Sequence, residues 1–394
     1  MSAESHIGSR IRGLRGRILT QRELAEAAGV SVDLIRKLEQ GARRTASIGS
    51  LHAIARALDV DIADLLGRRV GPLSTEPGAG VVAVRRALTT VDDLLDEVEQ
   101  DAPTSIGQAR RTVAYGWAAY WHGRYAQLVG LLPQMIVQLR ASAAVEQASR
   151  QSAHELLSRC LWLAGCTLVH LGHPDPAWLA IRQAITAAEQ GGDDLLCGVL
   201  RGSAAWQLLV QGRYVEAHRL ATHAATSIQP GADADPERLS NYGSLIITAA
   251  TAAARDGRTA EARHLMAQAA EVAVHTGDRA DYETYFGPSQ VAMQTVDIAV
   301  VTEDYTGALS AATRMPRDST LPLASRARHL ADQAFAYARL GRRERAVQAL
   351  LVAERMAPDW MEYQTLPRRV VSELLGAERS TPLRELAHRL GVSD

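Results

Sequence analysis

The sequence predicts an all-α protein, a small helical head followed by a long row of helical hairpins. Three observations predict it. Alanine is abundant and β-branched residues come singly, which favours helix throughout. Within residues 1–70, short apolar stripes at helical spacing alternate with capping residues and glycines. Beyond residue 100, a turn motif led by Gly-Arg recurs along the chain.

Five short helices are read in the head. Ile7, Ile11 and Leu14 share a face of the first. Thr20-Gln21-Arg22-Glu23 opens the second as a capping box, in which hydroxyl and carboxylate satisfy each other's backbone N–H. Leu24, Ala25 and Ala28 follow as its apolar face, and Gly29 stops it, because glycine turns cheaply through positive φ. Ser31 caps a third helix with Ile35 and Leu38 on its buried side, and Gly41 ends it. Leu51, Ile54, Ala55 and Leu58 stripe the fourth. Asp61 caps a short fifth carrying Leu65 and Leu66.

Helices two and three make a helix-turn-helix. The run from Leu19 to Gly41 resembles the XRE (Cro/C1-type) helix-turn-helix family of phage repressors, with Ile18 standing where that family usually has glycine. The resemblance implies a five-helix DNA-binding domain over residues 1–70. It places Val32, Asp33, Arg36 and Lys37 at the major groove, with the cap residue Ser31 among the DNA-binding set. Lys37 or Arg36 suits guanine O6 and N7, and Val32 suits a thymine methyl. Asp33 either accepts from cytosine N4 or complements the helix dipole. By the same resemblance Gln21 binds a backbone phosphate, joined by Arg22, Arg43 and Arg44, and Glu39 pairs with an arginine of helix one, here Arg15. Lys37 is the only lysine among 43 basic side chains.

Residues 71–104 read as linker and connecting helix. GPLSTEPGAG (Gly71 to Gly80) has linker composition, and residues 81–100 place Val84, Leu88, Val91, Leu94, Leu95 and Val98 on one side of a helix. The body occupies residues 105–394. Turns headed by Gly123, Gly172, Gly212, Gly257, Glu303 and Gly341 end on Leu128, Ala177, Ala217, Ala262, Ala308 and Ala346. Small residues lie seven before the glycines (Gly116, Gly165, Ala205, Ala250, Ala334) and seven after four alanines (Ala184, Ala224, Ala269, Ala353). Antiparallel helices that cross closely require small side chains at the crossing.

This pattern resembles the tetratricopeptide repeat, which implies a TPR-like α-solenoid of about six hairpins. Leu366 to Leu375 and Pro382 to Leu390 read as its C-terminal cap. A phage-repressor-like head on such a body resembles actinobacterial regulators and the peptide-pheromone receptors of Gram-positive bacteria. That implies a homodimer on a double-stranded DNA operator, and a peptide or small-molecule effector on the concave face. Candidate effector contacts are Trp121, Asn241, Tyr242, Tyr282, Tyr285, Phe286 and Gln290. Tyr120 and Trp162 are further candidates on this face, whereas Trp117 and Trp206 sit at a repeated structural position and read as packing. The segment from Asp278 to Gln290 reads equally as a lid on the groove or as a turn at Gly287-Pro288.

Charge and motif content narrow the function classes. The formal net charge is −1, but residues 1–70 carry twelve basic and eight acidic side chains, a net of +4, against −5 for the remainder. Nucleic-acid contact is therefore expected in the head alone. There is no H-E-x-x-H, P-loop or G-x-S-x-G, so no enzyme, cofactor or metal is expected. Three cysteines without C-x-x-C read as core fillers. No long apolar run or signal segment is visible, and a cytoplasmic protein is expected. The alternative is a repeat scaffold whose head no longer binds DNA.

Overall fold

In the computed structural model, residues 7–16, 19–43, 46, 48–58, 77–90, 103–145, 150–231, 233–376 and 380–392 are described. They form two units, Met1–Thr89 and Thr90–Asp394. Twenty helices and one two-stranded hairpin account for their regular structure, so the fold is all-α apart from that hairpin.

The first unit contains α1 (Ile7–Arg15), α2 (Gln21–Ala27), α3 (Val32–Glu39), α4 (Ile48–Ala57) and α5 (Pro77–Leu88). Ile7, Ile11, Leu24, Ala25, Ala28, Ile35, Leu38, Leu51, Ile54 and Ala55 make its buried core, and Leu14 and Leu58 of the predicted stripes pack against it partly buried. The capping box forms, with Glu23 N donating to Thr20 Oγ1 at 3.2 Å and Thr20 N donating to Glu23 at 2.6 Å. Gly8 lies so close to α3 that a Cβ there would fall 1.6 Å from the Leu38 carbonyl oxygen. The predicted helix at Asp61 to Leu66 lies outside the described residues. α5 corrects the linker reading. It starts at Pro77, inside the Pro/Gly-rich stretch, because proline at the first helical position costs no hydrogen bond. It stops at Leu88, where the Thr89 hydroxyl donates to the Arg85 carbonyl at 2.8 Å. Val81, Val84, Ala87 and Leu88 are its buried residues, and Val91, Leu94, Leu95 and Val98 lie outside the described set.

The second unit is a run of six helical hairpins: α6 (Ile106–Trp121) with α7 (Tyr125–Val145), α8 (Arg150–His170) with α9 (Pro174–Gly191), α10 (Asp194–Val210) with α11 (Tyr214–Ser227), α12 (Pro236–Arg255) with α13 (Thr259–Thr276), α14 (Pro288–Val301) with α15 (Tyr305–Ala312), and α16 (Leu323–Arg339) with α17 (Arg343–Met356). Each turn closes the same way. The N–H after the turn residue donates five residues back, as in Arg124 to Ala119, Arg213 to Leu208 and Asp304 to Ala299, at 2.8–3.0 Å across the six copies. That geometry needs a left-handed residue. Five copies supply glycine at φ 72° to 81°, and the sixth uses Glu303 at φ 62°.

The repeated alanines are the crossing points. Ala177, Ala184, Ala217, Ala224, Ala262, Ala269, Ala308, Ala346 and Ala353 are all fully buried. A Cβ on Gly116 would sit 2.6 Å from a Leu163 methyl, so even alanine is too large where α6 meets α8. The first helices of the hairpins (α6, α8, α10, α12, α14, α16) pack in succession, and α16 returns to α6. The inner row therefore closes on itself. α18 (Pro358–Glu362) completes the closure, with Trp360 against Gly123 at the first turn. α19 (Thr365–Leu375) and α20 (Thr381–Arg389) follow as the capping helices.

The segment read as a lid or turn is a β-hairpin. β1 (Arg279–Asp281) pairs antiparallel with β2 (Thr284–Phe286), Ala280 opposite Tyr285. Its two turn residues, Tyr282 and Glu283, hold φ at 47° and 52°.

A charge cluster built on two buried carboxyl groups joins three inner helices. Asp297 on α14 accepts from Arg255 at 3.0 Å and Arg328 at 2.6 Å, and Arg328 Nε also reaches Asp332 at 3.1 Å. Burial pushes the Asp332 carboxyl up to about 7, Arg328 opposes the rise, and the nearby Asp297 charge adds to it.

Two outcomes follow for stability. Ala184→Leu forces a branched side chain into a helix crossing and is expected to cost about 1–3 kcal/mol, read as a lowered denaturant midpoint by tryptophan fluorescence. The folded chain keeps the Asp332 proton that the unfolded chain releases near the ordinary value of 3.8. Stability contributed by that proton is complete below the ordinary value and is lost as pH rises toward 7. Asp332→Asn should flatten this part of the pH–stability curve.

Candidate nucleic-acid interface and concave face

α3 presents two faces. Ile35 and Leu38 are fully buried, while Val32 is 44% exposed and Asp33, Arg36 and Lys37 stand beside it in solvent. Ser31 caps the helix, its hydroxyl accepting from Leu34 N at 3.2 Å. Asp33 binds both cations of this face, Arg36 at 2.5 Å and Lys37 at 2.7 Å. The Lys37 hydrogen bond is the largest cause that holds the Asp33 carboxyl below its ordinary value. Neither earlier reading of Asp33 included this double pairing. Exposed pairs of this kind are screened by solvent and contribute little, so either cation can exchange its partner.

Glu39 at the end of α3 is the buried polar anchor of the unit. It accepts from Arg15 of α1 at 2.8 and 3.0 Å and from Gln21 Nε2 of α2 at 2.7 Å. Burial works against its charge, yet the Arg15 and Gln21 hydrogen bonds prevail and its carboxyl is lowered. Three helices thus converge on one carboxylate. The expected Glu39–Arg15 pair is present, and Gln21 is tied to the same group. Arg22 and Arg43 are exposed around α2 and α3. Arg44 lies outside the described residues.

The concave-face aromatics form one connected cluster. Trp117 meets Trp162 at 4.6 Å and Tyr120 at 5.4 Å, and Tyr120 meets Trp121 at 5.1 Å. Tyr125 stacks on His170 at 4.5 Å, and Trp206 contacts His170 from the other side at 5.6 Å. Burial, with the Arg328 charge second, lowers His170 to about 3, so its imidazole is neutral. Tyr120 and Gln364 bracket its two nitrogens at 3.1 and 3.2 Å. Trp117 and Trp162 are buried, in keeping with packing.

The remaining effector candidates converge on the β-hairpin. Asn241 is buried, donating to the Glu237 carbonyl at 2.9 Å and accepting from the Thr284 hydroxyl at 3.0 Å. Phe286 is buried over Gly243, where a Cβ would come within 2.0 Å of its ring. Tyr285 packs edge-on against Trp121 at 4.9 Å. The Tyr282 hydroxyl donates to Asp193 at 3.1 and 3.3 Å, its ring lies under Arg159, and Glu283 pairs with that same arginine. Tyr242 turns the other way and accepts from Gln268 Nε2 of α13 at 2.8 Å. Gln290 is half-buried in the first turn of α14. Arg159 and Asp193 were not read as site residues, since an arginine and an N-cap aspartate in a helical repeat carry no distinguishing spacing. Non-glycine residues in the left-handed region cost about 1–2 kcal/mol each, so the Tyr282–Glu283 turn persists through these contacts.

The three cysteines are buried, and burial pushes Cys160 and Cys166 up to about 12, which makes them inert thiols. Among the described residues no group of His, Cys, Asp and Glu could hold a metal ion, and no helix is long and apolar enough to cross a membrane.

Residues 11–65 match the helix-turn-helix family, and the N-terminal unit carries a helix-turn-helix domain. No curated protein matches the chain. Among solved structures, the chain is similar to Bacillus thuringiensis PlcR in its crystal structure with the peptide PapR7 and DNA. The identity is 14% and the TM-score 0.38, over 78% of this chain and 94% of that one.

Glu39→Ala leaves Arg15 and Gln21 without their shared acceptor. It is expected to destabilise the head by about 3 kcal/mol. The head holds no tryptophan, so the readout is hydrogen exchange: the amides of α1–α3 should lose protection while those of α8–α13 keep theirs.

Proposed function

We propose that the chain is a sequence-specific DNA-binding transcriptional regulator, acting as a cytoplasmic homodimer whose repeat body responds to an effector. The observation that carries this reading is the solvent face of α3. Val32, Asp33, Arg36 and Lys37 stand opposite the buried Ile35 and Leu38, in the second helix of the motif. That helix enters the major groove in helix-turn-helix proteins. Arg36 and Lys37 leave Asp33 for guanine edges, and Val32 meets a thymine methyl. Freed of its cations, Asp33 accepts from cytosine N4. Ser31, Gln21, Arg22, Arg43 and Arg44 hold phosphates and set the register. Gln21, fixed on Glu39, keeps α2 and α3 in one docking pose.

The body holds two heads so that each reads one half-site, with half-sites about 10 bp apart or a multiple of that. The effector, a peptide or small molecule, acts on the concave face where Tyr285 meets Trp121, beside Tyr282 and Phe286 of the same β-hairpin. Asn241 borders that region through its hydrogen bond with Thr284. Its binding shifts the population between two arrangements of the heads, which requires different affinity for the two.

The direct test is salt-dependent binding to genomic DNA selected by the protein itself. Lys37→Ala should relax preference at one base pair by about 1–3 kcal/mol, whereas Arg43→Ala should weaken all sequences alike and reduce the salt slope by about 1. Equal effects of the two variants on specificity would overturn these roles. Absence of any sequence preference in the intact chain would overturn the regulator.

A further inference from the structure

Among the described residues, the β-hairpin is unlike the turns within the helical hairpins of the body. It links the fourth and fifth hairpins, but its contacts run backwards over the inner helices already laid down. Phe286 and Thr284 hold α12 through Gly243 and Asn241. Tyr282 reaches Asp193, the N-cap of α10. Glu283 reaches Arg159 in the middle of α8, and Tyr285 reaches Trp121 at the end of α6. Four successive inner helices thus contact one eight-residue segment, side chain to side chain, as a groove contacts a bound peptide.

Two features make this seat reversible. The turn residues Tyr282 and Glu283 are both left-handed without being Gly or Asn, the residues that make such two-residue turns cheap. The contacts at the tip are polar and reach solvent, with Arg159 16% and Glu283 19% exposed. Water or another ligand can replace them.

We propose that residues 279–286 are a releasable strap that occupies its own recognition site, and that a peptide presenting tyrosine followed by a carboxylate displaces it. Arg159 recognises the carboxylate, Asp193 accepts from the phenol, and Trp121 takes the second aromatic ring. The strap states the chemistry of the ligand that competes with it. The link to regulation rests on the effector reading above, but the site itself does not.

The test uses the full chain and a labelled synthetic peptide of residues 278–287 as probe, followed by fluorescence anisotropy. Tyr282→Phe with Glu283→Gln weakens the strap while keeping its shape. This double variant should bind the peptide at least tenfold more tightly than the unmodified chain, and adding Arg159→Ala should abolish the gain. Equal binding by the unmodified chain and the double variant, or a gain that survives Arg159→Ala, would overturn the proposal. Should the variants fail to fold, hydrogen exchange of the unmodified chain decides. Amides of 279–286 opening together, at least tenfold faster than those of α12 and α14, support the strap, and exchange in step with those helices overturns it. DNA binding enters none of these readouts, so a chain that binds the peptide but no DNA would keep the strap and lose the regulator.

Discussion

The body depends on how closely its helices cross. In five of the six hairpins an alanine is fully buried where the second helix meets the first, and at Gly116 a single added carbon would strike Leu163. Such crossings bring backbones near enough for ridges to enter grooves. They also make each hairpin thin, so that six of them curve tightly enough for α16 to come back to α6. The left-handed turn follows from the same constraint. Two helices this close can be joined only by a chain reversal that satisfies its own carbonyls within one residue, which is why Glu303 adopts the conformation of the five glycines.

Closing the inner row turns a groove into an interior. The aromatic side chains that face inward meet one another, from Trp162 through Trp117 and Tyr120 to Tyr125 and His170. The carboxyl groups of Asp297 and Asp332 become buried, and Arg255 and Arg328, still partly exposed, pair with them across three helices. Such a cluster is costly to break and weakly stabilising to keep, so it contributes register between repeats more than strength. The β-hairpin lies against this interior and draws on both kinds of contact, apolar at Phe286 and ionic at Glu283.

The candidate DNA face was largely legible because it is local. Caps, glycines and the Ile35/Leu38 stripe lie within one run of sequence, and they orient Val32, Arg36 and Lys37 without help from the rest of the chain. The pairing of Glu39 with Arg15 came from the family resemblance, and its sharing with Gln21 did not. The concave site was harder to read. Asn241 and Phe286 have the chemistry of ligand contacts, but the structure uses them to anchor the hairpin. Tyr242 looks like their neighbour in sequence and faces α13. On a helix, adjacent residues point about 100° apart, so sequence proximity does not place two side chains in one site.

The order of helices, the turn positions and the small residues at the crossings were determined by the sequence alone, because each reflects contacts between residues within a turn or a hairpin of one another. Tertiary structure decided the rest. The seating of Trp360 on Gly123 joins the two ends of the row, and no local pattern marks it. The hairpin at Tyr282–Glu283 carries none of the residues that favour its turn. It exists because Arg159, Asp193 and Trp121, brought near by the stacking of three earlier repeats, stabilise a conformation the segment would not hold unaided.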